Sequence, residues 1–170
     1  MKMNLVLIGY RGTGKSSVAE ILAKRFAAKK VSTDELIVQK AGMSIPEIVE
    51  KHGWEHFREV ESEVIREVCK EDDLIIDAGG GVVLREENIK NLKMNSKVIL
   101  LTADVDVIAE RIKDDKNRPS LTGDKSFVEE IGAVLAERKS LYEKAADFSV
   151  DTSKLSVVQV ARRIVKYLKS

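Results

Sequence analysis

The chain has few of the residues that cross-link or interrupt a protein. Its 170 residues include one cysteine and two prolines. A single cysteine excludes a disulfide within the chain and is typical of a protein kept in a reducing compartment. Cys69 falls in a helical pattern beside Ile65 and Val68, which favours packing in the core over reactivity. Pro46 falls at a predicted helix start, and Pro119 falls in a predicted loop.

Long apolar runs and an excess of one charge are also missing. No apolar run approaches the length of about 20 residues that crosses a bilayer. The first predicted strand begins too close to residue 1 to leave room for a signal peptide. With 29 basic and 28 acidic residues the net charge is +1, which argues against a nucleic-acid or membrane partner. We therefore expect a monomeric, cytoplasmic protein.

The residues that are present fit one α/β domain over residues 1–170. Hydrophobic residues make up 44% of the chain and charged residues 34%, as in ordinary globular proteins. Apolar runs at 5–8, 74–76 and 98–101, with weaker ones near 31 and 148–150, alternate with helical patterns. This alternation predicts a mainly parallel, five-stranded sheet that helices cover on both faces.

Capping patterns predict where several helices begin. Ser44 and Ser156 each stand three residues before a Glu or Gln, which is the spacing of a capping box. The helix that follows Ser44 is expected to end near residue 51, and a charged amphipathic helix is expected over 55–68. Asp104 precedes another helical pattern and is expected to cap it.

The stretch Gly9–Ser16 fits the pattern G-x-x-x-x-G-K-[ST] between an apolar run and a helical pattern. Its glycines let backbone N–H groups approach phosphate oxygens, and a helix start adds unpaired donors there. Lys15 is placed to reach the β- and γ-phosphates of a nucleotide, and the Ser16 hydroxyl to reach Mg²⁺. A phosphate-binding loop (P-loop) for a nucleoside triphosphate is therefore predicted, with a glycine turn that binds nothing as the alternative. The predicted nucleotide-binding residues in this stretch are Gly12, Thr13, Gly14, Lys15, Ser16 and Ser17.

Glycine and acidic residues follow two further predicted strands. Gly79, Gly80 and Gly81 follow the strand that ends near Asp77, and Asp34 follows another strand. Ligands bind at the carboxyl ends of parallel strands, and adjacent glycines let the backbone lie against a small ligand. Each feature alone also has a simpler explanation, which is a tight turn for the glycines and a helix cap for Asp34.

In combination, these features resemble the shikimate kinase family over nearly the whole chain. The matching stretches, in order, are Gly9–Ser16, Thr33-Asp34, Phe57-Arg58, Gly79-Gly80-Gly81, Arg118-Pro119 and Arg138 ahead of Leu141-Tyr142. A P-loop alone marks only a large superfamily, and a single arginine on a charged helix is commonly a surface residue. Phe57-Arg58 together with the triple glycine is much more specific.

The resemblance implies ATP-dependent phosphorylation of the 3-hydroxyl of shikimate, a step toward chorismate and the aromatic amino acids. It also implies the strand order of nucleoside monophosphate kinases, with the P-loop strand at the centre of the sheet. A substrate-binding subdomain is expected at about 33–61 and a lid at about 113–124. ATP as co-substrate and Mg²⁺ as metal ion follow from the same likeness.

The roles that the resemblance implies agree with the chemistry of the side chains. Arg58 and Arg138 would bind the substrate carboxylate, because a guanidinium fork binds carboxylates through two parallel hydrogen bonds. Asp34 would orient the attacking hydroxyl, and backbone N–H groups of the triple glycine would hold ring hydroxyls. Lys15 and Arg118 would neutralise charge on the γ-phosphate during transfer.

Four further positions bear on the nucleotide, metal and substrate sites. Arg111 stands where relatives stack an arginine on adenine, with an exposed surface residue as the alternative. Ser32 stands where relatives usually carry an aspartate that helps to hold Mg²⁺. Asp77 is therefore expected to serve the metal together with Ser16, with capping of the glycine turn as the alternative. Val49 stands where relatives commonly carry an aromatic residue beside the substrate ring.

Other functions fit parts of the sequence. Asp77-Ala78-Gly79-Gly80 matches the D-x-x-G pattern of switch GTPases, but no N-K-x-D guanine motif follows it. A second alternative is a P-loop kinase that acts on a nucleoside monophosphate or a sugar acid. The feature that would distinguish it is whether Arg58 and Arg138 converge on a pocket of the size of a carboxylate. A nucleotide-binding regulator without activity is the third alternative. The argument against it is that four residues suited to catalysis are intact: Lys15, Ser16, Asp34 and Arg118.

Overall fold

The computed structural model describes residues 3–114 and 126–170, which form a three-layer α/β domain. Its five strands are β1 (Asn4–Ile8), β2 (Lys29–Ser32), β3 (Leu74–Asp77), β4 (Ser96–Thr102) and β5 (Phe148–Asp151). They form one sheet in the order β2-β3-β1-β4-β5, and each neighbouring pair is parallel. The predicted fold is confirmed, with the P-loop strand β1 at the centre of the sheet.

Seven helices connect and cover these strands in the described part of the chain. They are α1 (Lys15–Phe26), α2 (Thr33–Ala41), α3 (Ile45–Val68), α4 (Glu86–Lys93), α5 (Val105–Ile112), α6 (Phe127–Ala145) and α7 (Val157–Leu168), with a short 3-10 helix at Val82–Leu84. None of these helices is long and apolar enough to cross a membrane.

The alternating side chains of β1 build the apolar core on both faces of the sheet. Leu5 and Leu7 pack with residues of α1 and α7, whereas Val6 and Ile8 pack with residues of α2, α3 and α6. Successive side chains of a strand point to opposite faces. An uninterrupted apolar run is therefore what a central strand between two helical layers requires.

Helix starts follow the capping patterns with one exception. The capping boxes at Ser44 and Ser156 are both formed, and Ser126 forms a third that was not predicted. Asp104 occupies the residue before α5, but its side chain accepts no capping hydrogen bond among the described residues. Asp104 thus occupies the predicted cap position without the side-chain bond, and its backbone N–H donates to the Ser153 Oγ at 2.9 Å.

Helix α3 contains a sharp break at Gly53, where φ is 84° and ψ is 169°. This backbone conformation is essentially restricted to glycine. The break divides α3 into the two helical segments that the sequence predicted. It directly precedes Trp54, Phe57 and Arg58.

The loops that carry the predicted functional residues meet at one edge of the sheet. The register pairs Asp77 at the end of β3 with Leu7 of β1 on one side and Ser32 of β2 on the other. The residues that follow these three strands are therefore neighbours. The expected lid at 113–124 lies almost entirely outside the described residues, as do Arg118 and Pro119.

Candidate active site

The loop between β1 and α1 is wrapped around the Lys15 side chain. The Lys15 Nζ donates to the backbone oxygens of Gly9 at 2.8 Å and Tyr10 at 3.0 Å. The Thr13 hydroxyl closes the same turn by donating to the Tyr10 oxygen at 2.8 Å. Lys15 lies directly after Gly14, which is the residue before the first turn of α1. Lys15 and the residues of the helix start, Gly14, Ser16 and Ser17, line one pocket, as anion binding at a helix N-terminus requires.

Two glycines of this loop are required by both conformation and space. Gly9 has a φ of 138°, and a Cβ there would lie 2.3 Å from the Leu101 backbone oxygen. Gly12 has a φ of 78°, and a Cβ there would meet the Ile112 side chain at 2.6 Å. L-amino acids rarely adopt these φ values, so glycine lets the loop lie tightly against β4 and α5.

A hydroxyl and a carboxylate lie together beside this loop. The Ser16 Oγ donates to the Asp77 Oδ2 at 2.5 Å. Ser32, which lies opposite Asp77 in the sheet register, caps α2 by accepting from the Glu35 N–H at 3.3 Å. All three of Ser16, Ser32 and Asp77 line the phosphate-side pocket, together with Lys15 and Asp34. The pocket therefore offers the oxygen ligands that Mg²⁺ prefers.

A second pocket opens beside the first, and we call it the acceptor pocket. Its lining consists of aromatic, charged and glycine residues from five segments of the chain: Tyr10, Arg11, Asp34, Ile45, Trp54, Phe57, Arg58, Glu61, Gly79, Gly80, Gly81 and Arg138. Asp34 and Arg11 line both pockets. Arg58 and Arg138, which are 80 residues apart in the sequence, thus converge on one cavity next to the phosphate loop.

The Arg58 guanidinium is held in place by a buried ion pair and by aromatic rings. Its Nη1 lies 2.7 Å from the Glu61 Oε2, and the two side chains are 12% and 1% exposed. The Arg58 Cζ lies 4.9 Å from the Phe57 ring centre and 5.6 Å from that of Trp54. Arg58 and Glu61 are three residues apart on α3, so the helix itself brings them together.

Arg138 reaches the acceptor pocket from α6 without a carboxylate partner in the described part of the chain. Its Nη1 donates to the Gly80 backbone oxygen at 3.2 Å, and the residue is 7% exposed. The nearby Glu61 carboxylate offsets part of this buried charge, and an anionic ligand would offset the rest.

Gly79 allows the carboxylates of the acceptor pocket to approach the backbone. A Cβ at this position would lie 2.8 Å from the Asp34 Oδ1 and 3.1 Å from the Glu61 Oε1. The Gly79 N–H donates to the buried Thr33 hydroxyl at 2.9 Å, which fixes the start of α2 against the glycine loop. The triple glycine and Asp34 are therefore parts of one packed unit.

Several buried polar atoms of the acceptor pocket have no hydrogen-bond partner among the described residues. They include the Tyr10 hydroxyl, the Glu61 Oε1 and the Arg138 Nε. Burial raises the pKa of Glu61 above its usual range, although Arg58 and Arg138 act in the opposite direction. Buried polar atoms are normally paired, so these groups indicate a pocket for a polar ligand.

Arg111 lies on the other side of the P-loop. Its Nη1 donates to the Gly12 oxygen and to the Thr152 Oγ1, each at 3.0 Å, and its Nη2 donates to the Thr152 oxygen at 2.9 Å. It lines a third pocket with Thr13, Gly14, Ser17 and residues of α7. Arg111 is exposed, and its guanidinium ties the P-loop to the segment between β5 and α7.

The structure brings together all the predicted site residues that it describes, and it adds others. The lining residues Tyr10, Arg11, Trp54 and Glu61 were not predicted. Glu61 could have been found from its i, i+3 spacing to Arg58, whereas nothing local marks the others. Val49 packs against the apolar core, and Trp54 and Phe57 supply the aromatic wall of the pocket.

A P-loop after a central parallel strand, next to an arginine-lined pocket, defines a P-loop kinase. Residues 11–169 match the family model described as shikimate kinase. A shikimate kinase of Thermodesulfovibrio yellowstonii is 44% identical over 163 residues, which are 96% of this chain and 93% of that protein. One of Geobacter metallireducens is 40% identical over 166 residues, 98% and 92% of the two chains. The chain belongs to the shikimate kinase family.

A solved structure agrees with this assignment. The shikimate kinase of Acinetobacter baumannii in complex with shikimate superimposes with a TM-score of 0.93 and 29% identity, covering 98% of this chain and 93% of that one. That of Aquifex aeolicus superimposes with a TM-score of 0.85 and 31% identity, covering 98% and 96%.

Proposed function

We propose that this protein transfers the γ-phosphoryl group of ATP to the 3-hydroxyl of shikimate. The observation that carries the proposal is the convergence of Arg58 and Arg138 on one pocket that shares Asp34 with the phosphate loop. Two convergent guanidinium groups bind a carboxylate or a phosphate, so the pocket fits an anionic acceptor, which an inactive regulator would not need. Relatives that carry the name shikimate kinase over nearly the full chain support the same reaction.

In this proposal, the two arginines bind the substrate carboxylate. Arg138 is buried without a carboxylate partner among the described residues, and Arg58 is pre-oriented by Glu61 and its aromatic neighbours. Holding the acid end of the substrate fixes the position of its ring hydroxyls. Catalysis of phosphoryl transfer depends on such positioning more than on covalent chemistry.

Asp34 is proposed to orient the attacking hydroxyl and to accept its proton. It is the acidic residue that lines both the acceptor and the phosphate-side pockets, so its carboxylate lies where the two substrates would meet. The Gly79 position permits this location, since a Cβ there would displace the Asp34 carboxylate.

On the nucleotide side, the backbone N–H groups of Gly12–Ser17 and the Lys15 ammonium are proposed to bind the ATP phosphates. Arg111 is proposed to contact the adenine from the third pocket, in which it is already fixed by Thr152. Arg118 stays a sequence-based prediction because it lies outside the described residues.

The Ser16 hydroxyl and the Asp77 carboxylate are proposed to serve Mg²⁺, and their oxygens fit that ion. When bound with ATP, Mg²⁺ neutralises phosphate charge. Asp77 would hold the Ser16 hydroxyl and add a negative charge on the metal side, the contribution that Ser32 lacks. Asp77 does this from the strand next to β1, where its position is set by the sheet register.

Purified protein assayed for ADP release with a panel of acceptors tests the function. We expect turnover with shikimate and Mg·ATP, and little with nucleoside monophosphates or sugar acids. Activity with a nucleoside monophosphate but not with shikimate would contradict the proposal, and so would ATP binding without turnover of any acceptor.

Several sequence-based expectations remain predictions. They are the monomeric state, the cytoplasmic location, the absence of a nucleic-acid partner and the division into a subdomain at 33–61 and a lid at 113–124. The proposed subdomain corresponds to α2 and to α3 as far as Glu61.

A further inference from the structure

The backbone oxygen of Gly80 is held by two side chains of helix α6. The Tyr142 hydroxyl donates to it at 2.5 Å, and the Arg138 Nη1 donates to it at 3.2 Å. Tyr142 is 3% exposed. The two donors are four residues apart and therefore lie on the same face of α6. This face thus controls the orientation of one peptide group in the triple glycine.

The orientation of that oxygen determines where the neighbouring N–H points. The peptide between Gly80 and Gly81 is trans, and in a planar trans peptide the C=O and N–H point in opposite directions. Because the Gly80 oxygen is turned toward α6, the Gly81 N–H is turned away from it. Within residues 3–114 and 126–170 this N–H donates no hydrogen bond. Gly81 lines the acceptor pocket, and a Cβ there would lie 2.2 Å from the Arg58 guanidinium.

We propose that Tyr142 is a positioning residue for the acceptor site. Its hydroxyl holds the Gly80–Gly81 peptide in the orientation that points the Gly81 N–H into the pocket, as a donor to the bound substrate. The inference rests on the proposed function for the identity of that substrate. Tyr142 itself does not contact the substrate but acts through the peptide.

Arg138 shares the Gly80 oxygen with Tyr142 and makes the longer of the two bonds, 3.2 Å against 2.5 Å. Arg138 is the proposed carboxylate ligand, and turning its guanidinium to the substrate weakens its bond to Gly80. Tyr142 keeps the peptide in place during that change. Glycine at position 80 leaves the peptide free to rotate unless a side chain holds it.

Tyr142 is able to act as a donor, because a phenol is ordinarily protonated at neutral pH. Burial raises the pKa of this phenol further, although the neighbouring Arg138 acts in the opposite direction. The hydroxyl therefore stays protonated at neutral pH and is matched to a carbonyl oxygen. A phenylalanine would fill the same space without the donor.

Replacement of Tyr142 by phenylalanine tests the proposal. The matched control is Tyr167→Phe, which removes a hydroxyl that donates to the Asp147 oxygen at 3.4 Å, away from the acceptor pocket. We expect Tyr142→Phe to raise the KM and Kd for shikimate about fivefold, as for the loss of one net hydrogen bond. The KM for ATP should change less than twofold. The control should alter neither constant.

A second measurement reports on the peptide itself and needs no turnover. The chain has 10 glycines, so ¹⁵N-glycine labelling gives a simple amide spectrum in which Gly81 can be assigned by substitution. We expect the Gly81 signal to move in Tyr142→Phe and to move on addition of shikimate to the wild type. The signals of Gly42 and Gly132 should stay in place.

The outcomes separate this inference from the proposed function. Wild-type protein that does not phosphorylate shikimate would contradict the function, and the Gly81 signal of the variant would still decide the role of Tyr142. Active wild type together with an unchanged shikimate KM in Tyr142→Phe would overturn the inference. A lower melting temperature alone, with an unmoved Gly81 signal, would show that Tyr142 only stabilises the fold.

Discussion

Asp34, Arg58 and Arg138 show how single side chains connect the two halves of the proposed reaction. Asp34 lines both pockets, and the two arginines lie in the acceptor pocket beside it. Arg58 is paired with Glu61, whereas Arg138 has no ion-pair partner in the described residues. This difference predicts that Arg138 is the more available cation for a substrate carboxylate.

Substitution of either arginine by lysine should weaken binding of the acceptor and leave binding of the nucleotide nearly unchanged. Arg138→Lys and Arg58→Lys replace a planar fork by a point charge, at a cost of about 1.5–3 kcal/mol for a charge-assisted bond. We expect the shikimate KM to rise about 10- to 100-fold in steady-state assays, with little change for ATP. Arg163→Lys on the exposed face of α7 is the control. Equal losses for both substrates would show that the arginines support the fold instead.

Asp77→Asn tests the proposed magnesium role. Asparagine keeps an oxygen acceptor for the Ser16 hydroxyl but removes the charge beside it. We predict a higher Mg²⁺ requirement and a lower kcat, with nearly unchanged thermal stability, measured by Mg²⁺ titration and calorimetry. Ser32→Asp in the same protein should restore part of the activity, because Ser32 lies opposite Asp77 in the sheet register. An unaltered magnesium dependence would contradict the proposed role of Asp77 at the metal site.

Helix α3 shows how one element serves both the core and the site. Its buried face packs through Ile48, Val64 and Ile65, while Arg58 and Glu61 lie in the acceptor pocket. The break at Gly53 separates the segment that begins at Ser44 from the segment that carries the two charged residues. The orientation of Arg58 therefore depends on a backbone conformation five residues earlier in the chain.

Gly53→Ala should disturb both stability and acceptor binding. The φ of 84° and ψ of 169° are essentially limited to glycine, and forcing alanine into them costs about 1–3 kcal/mol. We expect a lower free energy of unfolding in denaturant titration and a higher shikimate KM. Gly132→Ala in α6 is the control, because a Cβ there meets nothing within 4 Å and alanine favours a helix by about 1 kcal/mol. A variant as stable and active as the wild type would mean that α3 can continue through residue 53.

The pH dependence of the free energy of unfolding should reflect the titration of the buried Glu61. Burial raises the pKa of this carboxyl in the folded state above its usual value of 4.5. A raised folded pKa contributes stability that is fully present below pH 4.5 and is lost as the pH rises through the folded value. Because Glu61→Gln cannot titrate, the wild type should lose stability relative to this variant as the pH increases from 4 to 7, as followed by unfolding in denaturant. A difference that is constant with pH would contradict the raised pKa.

The architecture of the protein explains why the two pockets are adjacent. Strands β1, β2 and β3 are neighbours in a parallel sheet, so the loops that follow them leave from the same edge. The P-loop follows β1, the first turn of α2 with Asp34 follows β2, and the triple glycine follows β3. Helices α3 and α6 then close the acceptor pocket from the same side of the sheet, with Arg58 and Arg138.

Much of the fold and of the candidate site could be predicted from the sequence, because the patterns that indicate them are local. The P-loop, the five strands and the capping boxes each depend on residues within a few positions of one another. Whether these local structures form is decided by backbone conformation, hydrophobic periodicity and the nearest hydrogen-bond partners. The order of the motifs was also sufficient to predict the family, since the motifs extend over nearly the whole chain.

Tertiary structure alone decided the contacts between distant residues. The ties from Arg111 to Thr152 and the bond from Tyr142 to Gly80 join positions 41 and 62 residues apart. Each depends on the sheet register and on how a helix packs, and these are set by the sum of many weak contacts. A short pattern contains no such information, whereas a folded core places the side chains to within hydrogen-bond distance.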